Sequence, residues 1–197
     1  MDKSAFIISL LSIVQIALLG LWLNQPDGRL NRNWFLTALP FIACIGLLSA
    51  GAAGALHPEV PHSWTAPLDV VGSAVAAASI GLLFATWGTH RSRLSLWHQE
   101  NDAPETIVTQ GPYSAIRHPF YTSFLLGVIS VVLVLPSWIT LCALGYAVIA
   151  LNVTAAREER RLAASRFGAE YQAYVLRTGR FVPRAGLSRG VRSARAS

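Results

Sequence analysis

The chain has 197 residues, of which 53% are hydrophobic and only 13% charged, with mean hydropathy +0.44 and formal net charge +6. A soluble domain carries about 25% charged residues, so this chain has too few to coat a water-facing globule, and an all-α polytopic membrane protein is expected. Ten of the sixteen basic residues lie after Val153, where they fit a membrane-facing tail and call for no nucleic-acid partner.

Residues 4–23 form the first apolar run. Twenty helical residues reach about 30 Å, the thickness of a hydrocarbon core. The run outlasts a signal-peptide core, no small-x-small cleavage site follows it, and Asn24-Gln25-Pro26-Asp27-Gly28 marks a turn. An anchor helix is expected. The second run, 34–56, ends in the small residues Ser49-Ala50-Gly51-Ala52-Ala53-Gly54, and the third, 68–87, carries Gly72, Ser73, Ala74, Ala76, Ala77, Ala78, Ser79 and Gly81. Lipid gives apolar helices no hydrophobic reason to associate, so close contact of small surfaces must contribute. These two helices are predicted to touch. Cys44 and Cys142 sit in apolar runs without metal-ligand spacing and are expected as buried core residues, and no metal site is assigned.

A polar linker follows, with His90, Arg91, Arg93, His98, Glu100, Asp102 and Glu105. At about thirty residues it is long for a connection, and long loops are often functional. Residues 120–135 and 138–153 then flank Pro136-Ser137. Each arm has 16 residues, about 24 Å as a helix, so a helical hairpin broken at the proline is predicted. After it come Arg157-Glu158-Glu159-Arg160-Arg161. Phe167, Tyr171, Tyr174 and Val175 recur at i, i+4, i+7 and i+8, which predicts an amphipathic helix lying at the membrane interface. The chain thus divides into a three-helix scaffold (1–87), a site-bearing part (88–183) and a disordered basic tail (184–197).

Basic residues set the orientation. Arg29 and Arg32, then Arg91, Arg93 and Arg117, then the tail, mark one side, while 57–66 and the Pro136 turn have no lysine or arginine. Five spans with the N-terminus outside and the C-terminus in the cytoplasm follow from the positive-inside rule. Trp22, Trp34, Trp64, Trp87 and Trp138 fall near helix ends, as an aromatic belt requires. The two polar clusters, around Arg117-His118 and Glu158-Glu159, then share the cytoplasmic side. An ionisable group costs about 2.5–3.5 kcal/mol at a helix centre, less near the end, and generally has a partner. One shared site is the expectation. The nucleotide-cradling glycine loops, the paired-histidine zinc motif and the serine nucleophile elbow are all absent from the sequence.

Gly111-Pro112-Tyr113, Arg117-His118-Pro119-Phe120-Tyr121, Glu158-Glu159 and Phe167-Gly168-x-Glu170-Tyr171 together resemble the C-terminal signature of the isoprenylcysteine carboxyl methyltransferase and phospholipid methyltransferase-like family. The resemblance covers about ninety residues, from Gly88 to Pro183. It implies an integral membrane methyltransferase with S-adenosylmethionine as cofactor and a lipophilic substrate from the bilayer, in contact with membrane lipids. It implies a cofactor site at Thr106, Ile107, Val108, Tyr113, Arg117, His118, Pro119, Phe120, Tyr121 and one of Glu158 or Glu159, with an upstream glutamine position near His98 or Gln99. No catalytic residue is named, since the methyl arrives activated and the protein has mainly to align donor and acceptor. Relatives that act on prenylcysteine carry a substrate-holding arginine where this chain reads Asn152-Val153-Thr154-Ala155, and one extra residue separates Leu162 from Phe167. Prenylcysteine is therefore not favoured as the acceptor. Two other classes fit less well. A sterol-reductase-type enzyme shares the Arg-His-Pro and tyrosine pattern and would use Arg91 and Arg93 for the NADPH phosphate. A non-catalytic membrane protein is the third.

Overall fold

The computed structural model describes residues 32–89 and 107–184. The first apolar run, most of the polar linker and the basic tail lie outside these residues. The described part is all-helical. Its elements are α1 (Arg32–Ala52), α2 (His62–Thr89), a 3-10 turn (Gly111–Ser114), α3 (Pro119–Val134), α4 (Trp138–Ala163) and α5 (Gly168–Arg177). One isolated parallel β-bridge pairs Ile116 with Gly179.

The centre is α3. It packs along α2 on one side, while α4 covers another and α1 lies mainly on α4. The small-residue surface of α2 therefore meets α3, and the predicted pairing of α1 with α2 does not form the main seam. Gly72, Ala76, Ser79, Leu83 and Thr86 are the buried residues of α2. They recur every three or four positions and form one stripe. The approach is close: a methyl group added at Gly72 would lie 2.8 Å from Val134 Cγ2 and 3.2 Å from the Ser130 carbonyl oxygen. The Ser79 hydroxyl donates to the Ser123 carbonyl at 2.6 Å, tying the helices where both are buried. Phe124, Val128, Val131, Leu48, Leu83 and Leu151 fill the space between the helices.

The hairpin predicted at Pro136-Ser137 is present, and a capping box fixes it. Ser137 Oγ accepts from the Thr140 amide, and Thr140 Oγ1 accepts from the Ser137 amide. Such a box satisfies two donors that a helix start leaves open. The α1–α2 connection reaches the same end, where the Glu59 amide donates to the Pro136 carbonyl at 2.7 Å. The two segments without lysine or arginine are thus neighbours, and both polar clusters lie at the opposite end.

Two helices, α2 and α4, are long and apolar enough to cross a membrane. Only 22% of the most apolar window of each is buried, so most of that apolar surface faces outward, which is the reverse of a soluble core helix. Val70, Phe84, Trp138 and Ile149 are all at least 60% exposed. The apolar stretch Ile42–Ala52 of α1 and helix α3 are shorter. Trp64 and Trp138 stand exposed at the starts of α2 and α4, as belt residues would.

Three further expectations need correction. Helix α4 does not stop near Val153 but continues to Ala163, so Glu158 and Glu159 are helical residues. Alanine, arginine and glutamate are strong helix formers, so the change in composition there marks the end of the apolar surface and not of the helix. Cys44 is buried, but Cys142 is exposed on α4. The aromatic stripe of α5 faces the protein: Tyr171 and Tyr174 are buried, and the helix packs back on α4.

Candidate functional site

The site is built where three chain segments meet at one end of the bundle. The first is the Gly111-to-Tyr121 stretch. Gly111 has φ 57°, in the left-handed region that favours glycine, and Thr89 at the end of α2 presses against it. The 3-10 turn that follows is held from outside, because the Tyr174 hydroxyl donates to the Tyr113 carbonyl at 2.6 Å. His118 caps α3 and Pro119 takes the first helical position, where its missing N–H costs nothing.

The second segment is 178–182, a strap that leaves α5 and runs beside 115–118. The Arg117 amide donates to the Gly179 carbonyl at 2.8 Å, the His118 amide to the Arg180 carbonyl at 3.0 Å, and the Gly179 amide to the Ala115 carbonyl at 3.1 Å. Thr122 Oγ1 donates to the Phe181 carbonyl at 2.8 Å. The strap thus completes backbone bonding for residues just before α3, which have no helical partner of their own.

The third segment is the end of α4. Glu159 is fully engaged. Arg117 Nε donates to its Oε1 at 2.9 Å, and Arg180 donates to both oxygens, Nε to Oε1 at 3.1 Å and Nη2 to Oε2 at 2.5 Å. His118 Nε2 lies 3.3 Å from the same Oε1. Arg117 also donates to the Thr178 carbonyl at 2.5 Å and the Val175 carbonyl at 3.4 Å, the open carbonyls at the end of α5. Arg180 Nη1 donates to Asn152 Oδ1 at 2.8 Å.

Glu158 has a different environment. It accepts from the Tyr121 hydroxyl at 2.5 Å, and His118 Nδ1 is 3.5 Å from its other oxygen. No guanidinium bonds it among the described residues. The two carboxylates approach opposite ring nitrogens of His118, so they do not converge on one point as ligands of a single metal would. His118 is sandwiched by its neighbours. Its ring stacks on Tyr121 with centroids 5.3 Å apart and planes 6° apart, and Phe181 leans on it at 6.1 Å.

Burial lowers the His118 pKa below the ordinary histidine value, against the opposing hydrogen bond to Glu159. The imidazole is thus neutral at pH 7. It carries one N–H to share between two carboxylate neighbours. Burial raises the Tyr113 phenol, with Tyr174 and Glu158 adding to the shift, and pushes Tyr174 up to about 12. Both are protonated donors at pH 7. The hydrogen bond to Glu159 raises Arg180.

Of the residues named from the sequence, Arg117, His118, Tyr121, Glu158 and Glu159 come together directly, with Tyr113 beside them. Ile107 and Val108 lie half-buried in the irregular segment leading to the 3-10 turn. Pro119 is buried at the start of α3. Phe120 turns away into the apolar core and packs edge-on against Phe124 at 4.8 Å. Gln99, Thr106 and the rival His98 lie outside the described residues.

Sequence reasoning missed Arg180, Phe181 and Asn152. The one available signal was Thr178-Gly179 directly after an amphipathic helix, a place where a chain reverses and can return to a site.

The sequence also matches known proteins. The family model described as phospholipid methyltransferase matches residues 69–170, a stretch running from α2 through both polar clusters. Among curated proteins, the cobalt-zinc-cadmium resistance protein CzcN of Cupriavidus metallidurans is 32% identical over 134 residues. These cover 68% of this chain and 58% of that relative, so the chain spans a little over half of the relative's length.

Proposed function

This chain belongs to the phospholipid methyltransferase family, and on that footing we propose that it is an integral membrane methyltransferase that uses S-adenosylmethionine and a lipophilic or membrane-associated acceptor. The observation that carries the proposal is the junction of Tyr121, Glu158 and His118 at the polar end of helices whose outer surfaces are apolar.

The residues fit the cofactor. S-adenosylmethionine presents an ammonium, a carboxylate and a sulfonium. Of the two glutamates, Glu158 is the one to meet the ammonium, because the groups within hydrogen-bond reach of it, the Tyr121 hydroxyl and the neutral His118 ring, carry no charge. Glu159 already serves two guanidiniums and holds the strap. Neutral His118 is a donor for the carboxylate or a partner for adenine, and the faces of Tyr113 and Tyr121 suit a sulfonium. When bound, the cofactor supplies an activated methyl group. The protein's task is alignment, which can lower a barrier by up to about 7–11 kcal/mol, so no strong general base is required.

The acceptor approaches from the bilayer along the exposed apolar sides of α2 and α4. The positive-inside pattern supports a site on the cytoplasmic side, with the N-terminus outside. A reductase would need cations for a 2′-phosphate, and its candidates Arg91 and Arg93 lie outside the described residues.

Titration calorimetry of the detergent-purified chain tests the proposal. S-adenosylmethionine is expected to bind the wild type and to bind Glu158→Gln at least tenfold more weakly. No binding to the wild type at millimolar cofactor, or displacement by NADPH, would overturn it.

A further inference from the structure

A cleft of about 720 Å³ opens between the end of α4 and α5. Ala156, Arg160, Tyr171, Leu176 and Arg180 are among its lining residues, and His118, Tyr121 and Glu158 are not. Its walls combine alanine and leucine surface with guanidinium groups. The Glu159 carboxylate in its floor is already answered by Arg117 and Arg180. Arg160 is exposed, so the cleft as a whole is cationic. The Tyr171 side chain forms part of the floor, and its buried hydroxyl has no hydrogen-bond partner among the described residues.

The cleft continues a lipid-facing surface. Ile149, Val153, Ala156, Arg160 and Ala163 follow one another at three- and four-residue steps and so share one stripe of α4. Ile149 and Val153 are 66% and 41% exposed. From Ile149 to Arg160 the helix rises about 16 Å, close to half of a hydrocarbon core. An amphiphile whose chains cover Ile149 and Val153 therefore carries its headgroup to Arg160.

We propose that this cleft holds the headgroup of an anionic phospholipid, its phosphate against Arg160 and its chains along the Ile149 and Val153 face of α4. Basic pockets at the polar ends of membrane helices bind acidic headgroups in this way. The site is distinct from the Tyr121–Glu158 junction, and the proposal does not depend on methyl transfer.

The test uses the full chain in nanodiscs of phosphatidylcholine with a minor fraction of phosphatidylglycerol, followed by native mass spectrometry of retained lipid. The wild type is expected to retain phosphatidylglycerol in preference. Arg160→Gln lowers apparent affinity about tenfold, the scale of one charge-assisted contact. Leu176→Asp, an exposed position at the cleft, acts in the same direction. Arg166→Gln, whose guanidinium lies over the Phe167 ring outside the cleft, has no effect. Equal losses from Arg160→Gln and Arg166→Gln would show diffuse surface charge and overturn the proposal. So would undiminished retention by both cleft variants. Displacement of the lipid by millimolar inorganic phosphate would identify a free-anion site and overturn the lipid assignment.

Discussion

Arg180 and Glu159, 21 residues apart, meet through two parallel hydrogen bonds, Nε to Oε1 at 3.1 Å and Nη2 to Oε2 at 2.5 Å. This fork joins the strap after α5 to the end of α4, and Arg117 joins the start of α3 to the same carboxylate. Three elements are therefore fixed by one side chain, and the neighbouring Glu158 takes no part in the clamp, bonding Tyr121 instead.

The two adjacent glutamates should separate in experiment. Removing one partner from a fully buried ion pair costs about 3–5 kcal/mol, and less here, because Glu159 and Arg180 are 14% and 33% exposed. Glu159→Gln is expected to lower the unfolding midpoint strongly. Glu158→Gln keeps an acceptor for Tyr121 and should leave the midpoint within a few degrees while weakening cofactor binding. Thermal unfolding and calorimetry on the same two variants check this.

Arg180→Ala should free the strap without unfolding the bundle. Arg180 is one-third exposed, at 33%, so its loss costs about 1.5–3 kcal/mol, the range for hydrogen bonds to a charged group. The amides of Arg117 and His118, which bond to strap carbonyls, are expected to exchange with deuterium faster, while those in the middle of α3 do not. Unchanged exchange at both amides would contradict the clamp.

Acid should weaken the fold through His118. The unfolded chain takes up a proton near pH 6.5, whereas burial holds the folded imidazole neutral to lower pH. Below about pH 6.5 the unfolded state therefore binds more protons, and stability declines as pH falls, by up to about 1.4 kcal/mol per unit. The contribution is fully retained above pH 6.5. Unfolding midpoints of wild type and His118→Gln, compared from pH 7.5 to 5.5, should converge toward the acid end.

The seam between α2 and α3 predicts opposite results for two glycines. Gly72→Ala places a methyl group 2.8 Å from Val134 Cγ2 and should destabilise by about 1–3 kcal/mol, as overpacking does. Gly81→Ala meets nothing within 4 Å and should be neutral or stabilise by about 0.5–1 kcal/mol through helix propensity. Unfolding measurements in one detergent decide between these outcomes.

Much of the architecture was legible in the sequence. Apolar run lengths located α2 and the hairpin, and Pro136-Ser137 located its turn. The hairpin and the distribution of basic residues placed Arg117, His118 and Tyr121 at the same end as Glu158 and Glu159, and there they are in contact. What could not be read was partner choice. Small residues on α2 announce a close approach but not which helix makes it, and α3 is the one that fills the space. Arg180 was invisible for a related reason: its segment forms an isolated bridge to Ile116, and so brief a pairing leaves no periodic pattern in composition.

The bridge between Ile116 and Gly179 also sets an order of events during synthesis. Helices α3 and α4 can form as soon as they are made, but Glu159 lacks one of its two cations until the ribosome has released residue 180. Until then the carboxylate is half-neutralised, and the cleft beside it, which Arg180 helps to line, stays open on one wall. A chain halted at Arg177 would have every helix described above and still leave the Arg117 and His118 amides without their strap carbonyls, so the site is completed by residues 178–182 and not by the last helix.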